Sequence, residues 1–216
     1  MDNRRDRLQD ARLYLVCDRR PERFLRGALR GGVDIVQLRM KDADNAEMLE
    51  AARVFARICA EHDALFVLND RPDLVDAANA DGVHLGQADT PVATARWAVG
   101  PERLIGLSTH TTEQVDAAAG ADYIGVGPVH ETPTKPGRAA VGLELVRYAA
   151  SHATVPVFAI GGIEPGNAGA IRAAGGERVA VVRALTEAVD PERAASELRA
   201  AITGPRAPEE VRVGST

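Results

Sequence analysis

The sequence is poor in the residues and motifs that mark several common protein classes. Its 216 residues include only two cysteines, Cys17 and Cys59, which form neither a CxxC nor a Cys/His pattern. Both lie in apolar surroundings, so we expect buried, reduced thiols rather than a disulfide or a metal site. The patterns GxSxG and HExxH and a Walker phosphate loop are also absent, which argues against the common hydrolase and nucleotide-motor classes.

Long apolar runs and an excess of positive charge are missing as well. The longest apolar runs fall well short of the roughly 18 residues that a membrane span requires. The basic stretch at 1–12 is not followed by an apolar segment of signal-peptide type. The formal net charge is −5, with Lys and Arg spread along the chain. We therefore expect a cytoplasmic protein whose main partner is neither nucleic acid nor a membrane.

The sequence does contain a regular alternation of short β-branched runs and longer amphipathic stretches, the clearest of which is 45–63. The near-continuous apolar character of the runs is typical of strands buried on both faces, as in a parallel sheet. The predicted strands lie at 13–18, 33–39, 65–70, 82–86, 104–109, 123–129, 155–162 and 178–185.

Eight strand–helix repeats predict an α/β fold, a (β/α)8 TIM barrel in a single compact domain. An open doubly wound sheet would need a glycine-rich loop after its first strand, and residues 13–22 contain no glycine. We place the barrel at 13–203, an N-terminal extension at 1–12 and a flexible polar tail at 204–216. Within the helical segments, we expect Phe55 and Trp97 to pack on helix faces.

Polar residues cluster where the predicted strands end. In a barrel these ends share the rim on which enzymes of this fold place their active sites. The cluster comprises Gln37, Arg39, Lys41, Asn69, Asp70, Gln87, Asp89, Ser108, His110, the loop 131–137, Gly161, Gly162 and Arg183.

Asp70 and Asp89 end neighbouring strands, which run about 4.8 Å apart. Two carboxylates so placed repel each other unless a cation or a proton lies between them, and Mg²⁺ commonly takes one or two carboxylates together with phosphate oxygens. The alternative is that each aspartate caps the proline-containing turn that follows it. Arg39 and Lys41 lie on one side of a strand end and can bind phosphate, which favours a metal–diphosphate site.

A second anion site is predicted at the ends of the last two strands. Gly161 and Gly162 let backbone N–H groups approach a phosphate, and a helix begins near Asn167. Arg183 lies near the end of the eighth strand, where many barrels bind phosphate. Two anion sites indicate two phosphorylated small molecules as substrates. His84, within the fourth strand, is expected to be a hydrogen-bonded core or rim histidine.

Seven segments taken together resemble the successive motifs of the thiamine phosphate synthase family, over about residues 13–200. They are VQLRMK, VLNDRPDL, DGVHLGQAD, GLSTHT, GVGPVHETPTKPG, AIGGI and VAVVRAL. The resemblance implies a (β/α)8 transferase of thiamine biosynthesis. Such an enzyme joins hydroxymethylpyrimidine diphosphate to hydroxyethylthiazole phosphate, releases pyrophosphate, and uses one Mg²⁺ per active site.

The resemblance also implies roles for individual positions. Asp70 and Asp89 would bind Mg²⁺, and the catalytic residues would be Arg39, Lys41, Ser108 and Lys135. The pyrimidine diphosphate site would comprise Gln37, Leu38, Arg39, Met40, Lys41, Asn69, Ser108 and Lys135. The thiazole phosphate site would comprise Thr132, Pro133, Thr134, Gly162, Val182 and Arg183.

The family mechanism is charge separation rather than nucleophilic attack by a side chain. Mg²⁺, Arg39, Lys41 and Lys135 would stabilise the departing pyrophosphate. The thiazole nitrogen would then capture the pyrimidine cation, held close by positioning.

The loop 128–142 is about 15 residues long, against a usual two to six for a connection of this kind. Pro133 and Pro136 restrict its backbone, so ordering it on substrate costs less entropy. We expect it to be a lid between the two phosphate sites.

Three positions depart from the family pattern. Met40 stands where Glu is common, and we expect it to alter contacts beside the pyrimidine. Arg183 replaces a Ser and adds a cation for phosphate. His130 and Glu131 replace an aromatic–proline pair, which changes the shape of the loop.

Two other functions are compatible with parts of the sequence. A thiazole tautomerase-like relative would use His110, His130 or Glu131 to move protons. It would leave Asp70, Asp89, Arg39 and Lys41 without a role. A non-catalytic phosphate-binding barrel would not need the residues predicted to bind the metal and the diphosphate. The sequence leaves the oligomeric state open, with a homo-oligomer among the allowed states.

Overall fold

The computed structural model describes residues 3–131 and 139–204. Eight parallel strands follow one another around a closed barrel, and β8 pairs with β1 to complete it. The predicted (β/α)8 fold is therefore confirmed. The strands are β1 Leu13–Cys17, β2 Ile35–Leu38, β3 Leu65–Asn69, β4 Gly82–Leu85, β5 Leu104–Thr109, β6 Tyr123–Val126, β7 Val157–Ile160 and β8 Val179–Val181.

Helices surround the barrel, and within the described ranges none is long and apolar enough to cross a membrane. A 3-10 turn, Pro72–Leu74, takes the place of a helix after β3. The helices are α1 Arg4–Asp10, α2 Glu22–Arg30, α3 Asn45–Glu61, α4 Val92–Val99, α5 Thr112–Asp116, α6 Gly142–His152, α7 Pro165–Ala173, α8 Arg183–Thr186 and α9 Pro191–Thr203.

The strands are shorter than several of the predicted runs. The run 178–185 divides into β8 and α8 because Val182 leaves the extended conformation, with φ −117° and ψ −83°. β7 stops at Ile160 because Gly161 and Gly162 both adopt positive φ, at 109° and 62°. In both places the chain turns at the rim where the site was predicted.

Apolar side chains form two cores, one inside the barrel and one between the barrel and its helices. Phe55 is buried in the outer core, as predicted. The expectation that Trp97 packs against the barrel is wrong, because its side chain is 89% exposed. On α4 the buried positions are Ala95 and Val99, and a residue two places after Ala95 points to the opposite side of a helix.

The two cysteines behave as expected. Cys17 on β1 and Cys59 on α3 are both free and buried. Burial raises the pKa of both thiols, so neither is an activated nucleophile.

Aspartates organise the amino-terminal end of the barrel. Asp34 accepts from the backbone N–H of Leu13 at 2.9 Å and from Arg199 at 2.7 Å. Asp81 and Asp122 make the same kind of bond to the strands before them and also bind arginines. This end of the barrel is therefore stabilised by paired charges, whereas the opposite rim is left for the site.

Candidate active site

The carboxyl ends of the strands surround a cavity of about 790 Å³. Its lining includes every predicted site residue of the described ranges except Leu38 and Met40. Those that line it are Gln37, Arg39, Lys41, Asn69, Asp70, Asp89, Ser108, Gly162, Val182 and Arg183. Residues from all parts of the chain thus meet at one rim, as strand order in a barrel requires.

Alternation along and beyond β2 sorts the five predicted residues 37–41 into two groups. Gln37, Arg39 and Lys41 line the cavity. Leu38 is fully buried in the core under the helices, and Met40 packs against that core. Contacts from Leu38 and Met40 to substrate remain predictions, and they would have to come from the backbone.

Asp70 and Asp89 lie side by side at the rim. Asp70 follows β3 with φ 60°, and its N–H donates to the carbonyl of His84 on β4 at 2.9 Å. Burial raises the pKa of Asp70, and a hydrogen-bonding contact with the Asp89 carboxyl raises it further. The charge of Lys41 acts in the opposite direction. Two acids and a lysine therefore share one patch of the rim.

Helix capping does not explain these two aspartates. The cap positions of the 3-10 turn and of α4 are occupied by Arg71 and Pro91. Asp89 instead accepts from the N–H of Gly86 at 2.8 Å, within its own loop. The capping alternative is therefore wrong.

The donor set at Asp70 and Asp89 suits Mg²⁺. The described residues contain no group of three or more His, Cys, Asp or Glu placed to hold a metal by themselves. Mg²⁺ usually binds through one or two carboxylates and completes its shell with water and phosphate oxygens. A second acid raises the pKa of a half-buried acid because the two carboxylates repel each other. A bound cation relieves this repulsion.

Ser108 on β5 is held from two sides. Its backbone carbonyl accepts from the Nε2 of Gln87 at 2.6 Å, and its Oγ lies 2.9 Å from the Nε2 of His84. His84 is thus hydrogen-bonded at the rim, as predicted. His110 also lines the cavity, with its Nδ1 2.5 Å from the carbonyl of Gly127.

The sequence interpretation missed Tyr14 on β1 and Tyr123 on β6. Their hydroxyls lie 2.9 Å apart inside the barrel, and Gln37 donates to Tyr14 at 2.6 Å. Burial raises the pKa of both phenols, so both remain protonated. A tyrosine in an apolar run looks like an ordinary core residue, and no signal in the sequence shows that its ring faces the barrel interior.

The second predicted anion site lies at the ends of β7 and β8. The helix after the glycine pair, α7, begins at Pro165. Asn167 accepts from the N–H of Glu164 at 2.9 Å and donates to the carbonyl of Gly162 at 2.8 Å. Arg183, the first residue of α8, reaches the cavity and lies only loosely against Glu187, at 3.8 Å.

Thr132, Pro133, Thr134 and Lys135 lie outside the described residues, as does the whole of 132–138 within the predicted lid 128–142. The start of the loop is fixed against β7 and its glycine turn. Val129 donates to the carbonyl of Ile160 at 2.8 Å, and His130 donates to that of Gly161 at 3.1 Å. The loop therefore leaves the barrel beside the second anion site.

Comparison with known proteins shows which family the chain resembles. A family model described as thiamine monophosphate synthase matches residues 13–185. The thiamine-phosphate synthase of Streptomyces avermitilis is 52% identical over 205 residues, which cover 91% of this chain and 95% of that one. That of Nostoc sp. is 52% identical over 190 residues, and the chain spans about half of it, 54%.

Among solved structures, a thiamine phosphate pyrophosphorylase from Pyrococcus furiosus superposes with a TM-score of 0.81 at 35% identity. The match covers 92% of this chain and 96% of that one. A 3-hexulose-6-phosphate synthase from Salmonella typhimurium, at 18% identity and a TM-score of 0.65, shares the fold alone.

Proposed function

The chain belongs to the thiamine monophosphate synthase family, and we infer that it is a transferase that joins hydroxymethylpyrimidine diphosphate to hydroxyethylthiazole phosphate. The products are thiamine phosphate and pyrophosphate. The observation that carries this function is the pairing of Asp70 with Asp89 beside Lys41, at the rim of a cavity that also reaches the ends of β7 and β8. One cavity can therefore take two phosphorylated substrates.

We propose that Asp70 and Asp89 hold one Mg²⁺ against the diphosphate. When bound, the ion supplies positive charge for the oxygens of the leaving group. Asn69 donates to the carboxylate of Asp70 at 2.5 Å and keeps that side chain turned in its direction. Asp70 follows β3 and Asp89 follows β4, so two neighbouring strand ends bring the acids together.

The residues of the chain then favour departure of pyrophosphate. We propose that Arg39 and Lys41, which line the cavity beyond β2, bind the diphosphate, and that Lys135 binds it from the loop. As the bond from the pyrimidine methylene to oxygen breaks, charge grows on the leaving group and these cations stabilise it. Ser108 is proposed to donate a hydrogen bond to the same group.

Capture of the pyrimidine cation requires the thiazole to be held in place. We propose that the backbone at Gly162 and the side chain of Arg183 bind its phosphate, together with Thr132 and Thr134 of the loop. The electron pair of the thiazole nitrogen then forms the new C–N bond. No proton has to move, so positioning is the main contribution of the protein.

A thiazole tautomerase would use the same fold, but it would not need the pair Asp70–Asp89. We also propose a cytoplasmic location, in keeping with two free, buried thiols, which are usual in reducing compartments. Phosphorylated small molecules are the proposed partners.

The function is tested by incubating the full chain with both phosphorylated substrates and Mg²⁺ and measuring thiamine phosphate by mass spectrometry. We expect equal amounts of thiamine phosphate and pyrophosphate, and no product when either substrate is omitted. If the chain instead isomerises the thiazole phosphate alone and forms no thiamine phosphate, the tautomerase alternative is correct.

A further inference from the structure

Five polar side chains form one continuous hydrogen-bonded row across the barrel interior. Gln37 Nε2 donates to Tyr14 Oη at 2.6 Å, and Tyr14 Oη lies 2.9 Å from Tyr123 Oη. Tyr123 Oη lies 3.3 Å from His84 Nδ1, and His84 Nε2 lies 2.9 Å from Ser108 Oγ. The row joins a residue on β2 to one on β5, and both of its ends line the cavity.

A single consistent direction of donation runs along the row from Gln37 to Ser108, and the bond from Gln37 to Tyr14 is its first step. Tyr14 accepts a hydrogen bond from Gln37, and in this direction its own O–H donates to Tyr123. In the same direction Tyr123 accepts that bond and donates its own O–H to His84 Nδ1. Both phenols stay protonated because burial raises their pKa. His84 then carries its proton on Nε2 and donates it to Ser108 Oγ.

Packing of the rings fixes the positions of the two hydroxyl oxygens. The Tyr14 and Tyr123 rings meet edge to face at 5.9 Å, and both also contact the Phe158 ring, at 5.5 and 5.7 Å. Gly106 lies beside Tyr123 in the barrel, and a Cβ at this position would overlap the tyrosine ring. The glycine therefore makes the space that the second phenol of the row occupies.

We propose that Tyr14, Tyr123 and His84 are positioning residues whose ordered hydrogen bonds keep the Ser108 hydroxyl as a donor directed into the cavity. Because Ser108 Oγ accepts from His84, its own proton is left for an acceptor in the cavity. This inference rests on the proposed function, in which that acceptor is the diphosphate leaving group. The opposite direction would point the Ser108 proton at His84 and leave no donor for the leaving group.

A double-mutant cycle tests the coupling between Tyr123 and Ser108. Tyr123→Phe removes the hydroxyl that donates to His84, so Ser108 is no longer held as a donor to the diphosphate. We expect kcat to fall about tenfold, the effect of one lost hydrogen bond to a charged group. The KM for the thiazole phosphate should change little. In a Ser108→Ala background, Tyr123→Phe should have almost no further effect, because the residue through which it acts is gone.

The matched control is Tyr148→Phe, which removes an exposed hydroxyl bonded to Asp116 on the outside of the barrel. This variant should keep the activity of the parent. The coupling is refuted if Tyr123→Phe lowers kcat by the same factor with and without Ser108, or leaves the parent's kcat unchanged.

The tautomer of His84 can be measured without any variant at that site and without turnover. In the native protein, nitrogen NMR should show His84 protonated on Nε2 and unprotonated on Nδ1. The signal is assigned by substituting, one at a time, the other four histidines of the chain, His62, His110, His130 and His152. A proton on Nδ1 overturns the proposed direction, even if the synthase activity is found. If His84 shows the expected tautomer but the protein makes no thiamine phosphate, the hydrogen-bond direction is correct and the proposed function is wrong.

Discussion

The carboxyl groups of Asp70 and Asp89 lie within hydrogen-bonding reach of each other at the rim of the barrel, and Asp70 is half-buried. Burial and the neighbouring acid hold the pKa of Asp70 above its value in the unfolded chain. The folded state therefore binds this proton more tightly, so the associated stability is present at low pH and lost as the pH rises through the raised pKa. At neutral pH the pair destabilises the protein unless a cation binds.

Asp70→Asn should therefore have opposite effects on stability and activity. Without Mg²⁺ at neutral pH, we expect the free energy of unfolding to rise by about 1 kcal/mol, a small figure because the half-exposed site is screened by solvent. Denaturant unfolding measures this change. Mg²⁺ together with pyrophosphate should raise the Tm of the parent but not that of the variant, and turnover should be lost.

Asp63→Asn is the matched control for Asp70→Asn. Asp63 also adopts positive φ, 53° against 60° for Asp70, and asparagine tolerates this conformation well. It lies before β3, at the opposite end of the barrel, with an exposed side chain. The control should leave activity and the Mg²⁺-dependent shift in Tm intact. A destabilised Asp70→Asn protein, or one that still gains stability from the ion, would contradict the metal assignment.

The lysines of the chain give a chemical test of the diphosphate site. Lysine occurs only at positions 41 and 135. Amine acetylation removes the charge, so we expect it to inactivate the enzyme. Mg²⁺ with pyrophosphate should slow acetylation of Lys41 at least tenfold, because a bound diphosphate engages its ammonium group. Peptide mass spectrometry gives the rate at each lysine, with the N-terminal amine as an internal control. Equal rates with and without pyrophosphate would exclude Lys41 from the site.

Arg183→Ser should weaken binding of one substrate only. Arg183 lines the cavity and is only loosely paired with Glu187, so its guanidinium is available to a phosphate. We expect the KM for the thiazole phosphate to rise about tenfold and that for the pyrimidine diphosphate to stay the same. Steady-state kinetics with each substrate varied in turn measures both.

Arg193→Ser is the control for Arg183→Ser, because Arg193 and Glu197 form a similar exposed pair, four residues apart, on α9. Such exposed pairs contribute about 0–1 kcal/mol, so neither variant should unfold. An unchanged KM for the thiazole phosphate in Arg183→Ser would place its phosphate elsewhere.

Asp34→Ala should affect stability without affecting catalysis. Asp34 accepts from two backbone N–H groups and from Arg199 at the amino-terminal end of the barrel. Its loss removes this acceptor from the two backbone N–H groups and breaks the ion pair with Arg199, and we expect the free energy of unfolding to fall by about 2–4 kcal/mol. Substrate KM values measured well below the Tm should not change. A shift in KM as large as that of Arg183→Ser would mean that the two ends of the barrel are not independent.

The sequence predicted the barrel and most of the rim for a simple physical reason. Strands that are buried on both faces are continuously apolar, so a polar residue at the end of such a run stands out. β5 was predicted with its observed limits, Leu104–Thr109. Asp70, Asp89 and Lys41 were recognised in the same way, since each follows a buried strand.

The same reasoning does not distinguish the two faces of a strand in a barrel. Leu38 and Tyr14 both belong to apolar runs, yet Leu38 packs under the helices while Tyr14 points into the barrel. Trp97 was misplaced for a related reason, because a short helix with two buried positions carries too weak a pattern to fix its inner face. These assignments depend on register and helix rotation, which arise only when the whole barrel closes.

The most direct test of the account is the yield of thiamine phosphate as Mg²⁺ is titrated into the metal-stripped protein with both substrates present. We predict no product in the presence of EDTA, a saturable rise in rate with Mg²⁺, and loss of that rise in Asp89→Asn. Full activity in EDTA, or an unchanged Mg²⁺ dependence in Asp89→Asn, would contradict the claim that Asp70 and Asp89 hold the ion that assists departure of pyrophosphate.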